Sequence, residues 1–441
     1  MLLFLLASFL SAASPSAVVP RRVRISGRHF VDSTTNASVT LAGPNVVVKG
    51  PPWLPSTGTS ATAVCSDVVN DNCTASGTCS SCETFSLADV RNLQARGWNA
   101  IRLGVMWAGA QPRDEDALDA DFVARLDAIL SLCDAEGINV VLDNHGDMVG
   151  GAGCGNGVPM WFSQAASPGL IGKPLVTGFP YNVVPGLDIK SLPGYCGENT
   201  TAWAEFAGDP NYNLKNACCQ VLNDGGNPGA IGYTTISQAA MDYLVTPGPG
   251  RDAFVRYWRL LAEAVASHPS AIAAELMNEP MTIRRTDAFD TWRAAGEAIT
   301  GVIPDMSVSV SDTGEGLLLP DWLVNVTGGG GLISAPTLDW IKTSGNVFLA
   351  WHWYGLPSTP QEAVADAEAL GTAWGVPTFA TEFGDCSAWR EFEAANVSRL
   401  YWHYSAYCTT GPSFGNRSAP EDTFGACILG WAGGNAAGPC S

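Results

Sequence analysis

Seven short apolar runs rich in β-branched residues recur along the chain, and amphipathic helical patterns separate several of them. The runs are Val46 to Val48, Ile101 to Val105, Ile138 to Leu142, Ala271 to Met277, Val308 to Ser311, Val347 to Trp351 and Pro377 to Thr381. Strands this uniformly apolar are buried on both faces, which is the condition of a parallel sheet covered by helices. Between them, Phe122, Leu126, Ile129, Leu130 and Cys133 share one helical face, with Asp121 as start signal and Gly137 as stop. Phe254, Trp258, Leu261 and Val265 form a second such face, and a third helix is expected over 360–374. At 441 residues this alternation leaves two architectures, a doubly wound sheet or a (β/α)8 barrel. No Gly-x-Gly-x-x-Gly follows an early strand and no Gly-Lys-Ser/Thr loop occurs. Polar residues close several of the runs instead, where barrel enzymes carry their chemistry, so the barrel is expected.

Charge narrows the partners. With 23 Lys and Arg against 42 Asp and Glu, the formal charge is −19, a field that repels nucleic acid and anionic membranes. Residues 1–17 read as a signal peptide, a short apolar stretch ending in small residues, and residues 18–441 as a single domain. Six glycosylation sequons and thirteen cysteines fit a secreted or lumenal protein, extracellular or in a lysosome or vacuole. Cys79-x-x-Cys82 lacks the second pair a zinc site needs, so disulfides are expected, with Cys133 inside a helix as the thiol left over. The stretch 150–250, rich in Gly, Pro and Asn and holding Cys154, Cys196, Cys218 and Cys219, is expected as a disulfide-tied loop excursion over the barrel mouth.

Two runs end on carboxylates. One reads Ala274-Glu275-Leu276-Met277-Asn278-Glu279-Pro280, the other Pro377-Thr378-Phe379-Ala380-Thr381-Glu382. Glu279 and Glu382, raised by different strands onto one face, are the apparatus of glycoside hydrolysis. One protonates the leaving oxygen; the other attacks the sugar carbon or activates water. Arg102 sits inside an apolar strand, where a guanidinium must find carboxylates. His145 closes the third run, and His352 and Tyr354 close the sixth, Tyr354 being placed to hydrogen-bond a carboxylate. No metal or organic cofactor is called for.

This set of residues resembles glycoside hydrolase family 5, whose members are retaining (β/α)8 enzymes. The family's order is Arg, His, Asn-Glu, His-x-Tyr and Glu, matched here by Arg102, His145, Asn278-Glu279, His352-Trp353-Tyr354 and Glu382. The resemblance implies Glu279 as acid/base, Glu382 as nucleophile and Asn278 on the sugar 2-hydroxyl. Within the family, the segments Gly27 to Lys49 and Asp143 to Trp161 are similar to the endoglycoceramidase-like branch. That similarity makes Lys49 and Asp147 contacts to the first sugar, and the substrate a sugar on a ceramide or related lipid. Gly146 stands where the branch carries a larger polar residue. Trp402 is expected to close the eighth strand, with Gly430-Trp431 as rival. A secreted endo-β-glucanase or endo-β-mannanase is the alternative, and a non-catalytic sugar-binding barrel a more distant one. Transient contact with lipid surfaces is expected, and no obligate protein partner.

Overall fold

The structure, a computed structural model, describes residues 18–48, 53–57, 85–146, 149–155, 157–179, 181–191, 232–282, 284–311, 333–355, 358–384 and 386–402. An antiparallel hairpin, β1 (Val23–Ser26) and β2 (His29–Asp32), comes first. The barrel strands follow as β3 (Ala42–Val46), β4 (Ala100–Gly104), β5 (Asn139–Asp143), β6 (Ala271–Glu275), β7 (Ser307–Val310), β8 (Val347–Trp353), β9 (Thr378–Phe383) and β10 (Ser398–Tyr401). These eight run parallel and close into a barrel, β10 pairing with both β9 and β3. The expected architecture is therefore present.

Along each strand alternate residues divide between the barrel interior and the helical layer. On β8, Phe348 and Ala350 join an inner cluster with Ala100, Val141, Phe379 and Leu400, while Leu349 and Trp351 pack outward. The hairpin seals the N-terminal end. Its Phe30 meets Phe348 and Phe379 edge-on, with ring centroids 5.8 and 5.6 Å apart. Continuing the same alternation toward the other end places Arg102, Asp143, Glu275 and His352 inside, so a polar layer lies on top of an apolar plug.

The first barrel strand lies earlier than the run at Val46 to Val48 implied. It contains Gly43 and Pro44, and a Cβ on Gly43 would come within 1.7 Å of the Ala100 carbonyl oxygen. Close approach to β4, rather than β-propensity, chooses this segment. The eighth strand, β10, falls outside the seven apolar runs and is placed by pairing on both sides.

The helices of the outer layer are α1 (Leu87–Ala95), α2 (Trp107–Ala110), α3 (Ala120–Glu136), α4 (Met160–Ala166), α5 (Thr235–Val245), α6 (Pro249–Val265), α7 (Arg285–Val302), α8 (Ala335–Thr343), α9 (Pro360–Trp374) and α10 (Cys386–Ala394). The cap of α3 is Asp119 rather than Asp121: its carboxylate accepts from the backbone N–H groups of Asp121 and Phe122. Gly137 ends the helix at φ 77°, as its position implied. Cys133 is a free, buried thiol in α3, pushed up to about 12 by burial. Of the stretch 150–250, residues 156, 180 and 192–231, with Cys196, Cys218 and Cys219, lie outside the described residues. Its described part contains α4 and α5, and a small apolar cluster around Met160, Leu175, Ile189 and Tyr233 that reaches Met281 beside β6. Among the described residues no helix is long and apolar enough to cross a membrane.

At the sealed end His268 bridges two carboxylates of α3, with Nδ1 2.7 Å from Asp134 and Nε2 3.0 Å from Asp127. The bond to Asp134 raises the His268 pKa, and although burial alone would raise that of Asp134, its bonds from His268 and Ser270 lower it. A raised histidine contributes fully below its unfolded pKa near ~6.5 and is lost as pH rises through the folded one. A lowered aspartate contributes fully above its unfolded pKa near ~3.9. His268→Gln is expected to lower Tm most between about pH 4 and 6.5, with the deficit shrinking at alkaline pH. Melting curves of both proteins across pH check it; a deficit that grows with pH contradicts the assignment.

Candidate active site

Arg102 is fully buried on β4 and organises the polar layer. Its Nε and Nη2 donate to both oxygens of Glu275 at 2.8 Å each, a fork-to-fork pair. Its Nη1 donates to Glu382 at 2.8 Å and to Asn45 at 2.9 Å, and its Nη2 also reaches Asn278 Oδ1 at 2.7 Å and Asp143 at 3.0 Å. One guanidinium thus ties together five strands or strand ends. The surrounding anions outweigh the cost of burial and push its pKa above the ordinary value.

Glu382, near the end of β9, is buried and held by two donors. Besides Arg102, the Tyr354 hydroxyl donates to its other oxygen. Burial by itself would raise its pKa, but His352, His145 and Arg102, with the Tyr354 hydrogen bond, hold it below the usual carboxylate range. Tyr354, itself buried against Glu382 and Glu279, is pushed well above its ordinary value and stays a donor. Pairing between β8 and β9 slips at this level: Trp351 faces Ala380, yet His352 faces Glu382. The slip passes over Thr381 and aligns the imidazole with the carboxylate.

Glu279 stands just beyond β6, with its side chain 22% exposed against 7% for Glu382. Its φ is 37°, a left-handed backbone that side chains rarely adopt, held between Asn278 and Pro280. The turn presents its Oε1 to His352 Nδ1 at 3.0 Å. An oxygen of Glu279, an oxygen of Glu382 and a ring nitrogen of His352 lie within 4.8 Å of one another. With Glu382 held by Arg102 and Tyr354 and Glu279 held by His352, the arrangement is suited to an ionised carboxylate working beside a carboxyl that exchanges a proton. One carboxyl is dry and kept ionised; the other is open to solvent and beside an imidazole.

Of the residues anticipated from the sequence, Arg102, His145, Asn278, Glu279, His352, Tyr354 and Glu382 converge here. His145 Nδ1 is 2.8 Å from Asp143, and its ring stacks on Trp402 at 4.8 Å and 12°. Trp402 follows β10 directly, which places it at the end of the eighth strand; Trp431 lies outside the described residues. Lys49 and Asp147 also lie outside them. Gly146 packs against Gly157: a Cβ on Gly157 would approach the Gly146 Cα to 2.5 Å, so Gly157 is the confined position, while a Cβ on Gly146 would meet the Met277 methyl group at 3.1 Å.

Sequence reasoning passed over Asn45, Asp143, Glu275 and Trp53. Glu275 was visible as a carboxylate ending an apolar run, four residues before Glu279, and its partner Arg102 was equally visible; only the barrel joins them. Trp53 is half-buried beside Val47, Met106, Trp402 and Tyr354, with nothing in its Pro-Pro-Trp context to signal a site. Replacing Arg102 by Met leaves buried carboxylates without their cation. The expected cost is about 3–5 kcal/mol of stability, read from the midpoint of chemical denaturation; an unchanged midpoint contradicts the central role of this ion network.

Comparison with known proteins agrees with this geometry. The family profile described as Cellulase (glycosyl hydrolase family 5) matches residues 67–169, which include Arg102 and His145. Endoglycoceramidase I of Rhodococcus hoagii is 24% identical over 90% of this chain and 72% of its own length. An endoglycoceramidase of Hydra vulgaris is 27% identical over 45% of this chain and 32% of its own length. Among solved structures, a lactosyl-enzyme intermediate of endo-glycoceramidase II from a Rhodococcus species superposes with a TM-score of 0.52 at 17% identity, over 92% of this chain and 79% of that one. The crystal structure of an endogalactoceramidase gives 0.51 at 16%, over 87% and 75%. The solved structures agree in fold, and the profile and the relatives make the chain similar to glycosyl hydrolase family 5 and, within it, to endoglycoceramidases.

Proposed function

We propose that the chain cleaves the β-glycosidic bond between a sugar and a lipid aglycone, with Glu382 as nucleophile and Glu279 as acid/base. The observation that carries the reaction is the approach of an oxygen of each carboxyl to within 4.8 Å, which suits direct attack and falls short of the wider spacing of inverting enzymes. Glu382 attacks the anomeric carbon as Glu279 gives its proton to the leaving oxygen. Water then enters with Glu279 as base, and configuration at the anomeric carbon is retained. Arg102 and Tyr354 keep the nucleophile ionised. Asn278, its oxygen fixed by Arg102, is oriented toward the sugar 2-hydroxyl, and Trp402 and Trp53 are apolar surfaces for sugar faces.

The lipid part of the reading is supported by relatives named endoglycoceramidase, one of them aligned over most of the chain. We assign Lys49 and Asp147 to the first sugar. The stretch 150–250 is assigned to accommodating the aglycone; the apolar cluster that its described residues form with Met281 supports that role. The first seventeen residues direct the protein to the secretory pathway.

Product analysis on glucosylceramide, lactosylceramide, a steryl glucoside, soluble β-glucan and β-mannan tests this, with Glu382→Gln as blank. Intact sugar with free lipid is the expected result; cleavage of polymer alone discards the lipid assignment, and no cleavage at all discards catalysis. Proton NMR of the first product should show the β-anomer; initial release of the α-anomer sinks the retaining mechanism. Tyr354→Phe removes a donor to Glu382, so its pKa rises and the acidic limb of the kcat/KM profile moves to higher pH. A hydrogen bond to a charged group, about 1.5–3 kcal/mol, makes the accompanying loss roughly 10- to 100-fold. An acidic limb that stays in place contradicts the tuning role of Tyr354.

A further inference from the structure

Glu275 is a buried carboxylate that the reaction as written does not use. Its Oε1 accepts from Arg102 at 2.8 Å and from Thr381 Oγ1 at 3.1 Å, and lies 3.5 Å from Nε2 of His352. The other nitrogen of that ring, Nδ1, is 3.0 Å from Oε1 of Glu279. The imidazole therefore spans two carboxyls of opposite character, one sealed inside the barrel and one open at its mouth.

We propose that Glu275 is a positioning residue for the proton transfer: its carboxylate holds the Nε2–H of His352, leaving Nδ1 to share the proton that Glu279 delivers. This deepens the reading above and rests on Glu279 being the acid/base. A carboxylate bearing no proton can only accept, so the hydrogen between Glu275 and Nε2 belongs to the ring. Burial favours the protonated acid, but Arg102 and His352 hold the Glu275 pKa down to about 2, so it stays an anion throughout the working range. Nδ1 then faces Glu279 either as acceptor from the carboxylic acid or as donor to the carboxylate, with one proton in both cases.

The proton count closes over the cycle. In the first step the shared proton moves to the glycosidic oxygen as the C–O bond breaks and the Glu382–sugar bond forms. Glu279 is left as carboxylate beside neutral His352. In the second, water attacks the anomeric carbon, the Glu382–sugar bond breaks, and the water's proton returns to the pair. The other charged or titratable groups around this ring are Arg102 on β4, Asp143 and His145 at the end of β5, Glu382 on β9, and Tyr354 after β8.

The test is the pH dependence of kcat/KM for Glu275→Gln on two substrates, an alkyl β-glycoside and a dinitrophenyl β-glycoside whose leaving group needs no proton. Removing a nearby anion disfavours the protonated pair, so the basic limb should move to lower pH by about one unit or more. The loss should be about tenfold or more greater on the alkyl substrate. Adding the same substitution to His352→Gln should produce no further shift of the limb. Equal losses on both substrates with the limb unmoved would leave Glu275 only as a clamp on Arg102 and overturn the proposal. Should Glu275→Gln not fold, ring-nitrogen NMR of the wild-type protein, with His352 assigned by difference from His352→Gln, decides it: a bare Nε2 at neutral pH overturns the proposal, and a protonated one supports it. Glu279→Ala is the separate control. If it spares neither substrate preferentially, the acid/base assignment itself fails, together with what rests on it.

Discussion

Everything at the mouth of this barrel depends on one buried cation. A guanidinium with no exposure to water is tolerable only when its donors are matched, and Arg102 meets acceptors from Asn45, Asp143, Glu275, Asn278 and Glu382. The reverse holds for Glu275 and Glu382, whose charges burial would otherwise suppress and which Arg102 helps to keep ionised. The network is thus a condition of the fold and of the chemistry at once. It sits at the level where the inward-facing residues change from Phe, Ala and Val to Arg, Asp, Glu and His. Below that level the barrel is a packed apolar plug closed by Phe30; above it, a reaction site.

The two candidate catalytic carboxyls differ because their surroundings differ. Glu382 lies in the dry layer between Arg102 and Tyr354, and its charge is retained by the hydrogen bonds that both donate. Glu279 has been lifted out of that layer by a left-handed turn before Pro280, at an energetic cost of order 1–3 kcal/mol that the rest of the barrel absorbs. Solvent access and an imidazole neighbour set Glu279 apart from that dry carboxylate. Environment alone thus separates two chemically identical side chains, which is the condition for the proposed division into nucleophile and acid/base.

Much of this was legible before any coordinates. The apolar runs and helical faces implied a parallel barrel, because strands buried on both sides require helices outside them. His352 and Tyr354 were marked as polar residues closing an apolar run. Arg102 in an apolar strand demanded anionic partners. Less legible was β3, whose Gly43-Pro44-Asn45 core has no strand propensity and is selected by contact with β4. The cap of α3 was placed two residues late, since Asp119 and Asp121 are equivalent in composition and only the backbone geometry separates them. Trp53 carried no local signal at all.

By itself the sequence determined the inventory: which residue types stand at the ends of which strands, and therefore which chemistry the chain can perform. Short-range patterns suffice for that, because side-chain alternation and helical periodicity are local properties of the backbone. Tertiary structure alone decided who meets whom. The bidentate pairing of Arg102 with Glu275, the one-residue slip that sets His352 opposite Glu382, and the span of a single imidazole from Glu275 to Glu279 arise from barrel closure and strand register. Those contacts join residues up to hundreds of positions apart, and their geometry follows from packing across the whole ring of strands rather than from any one segment.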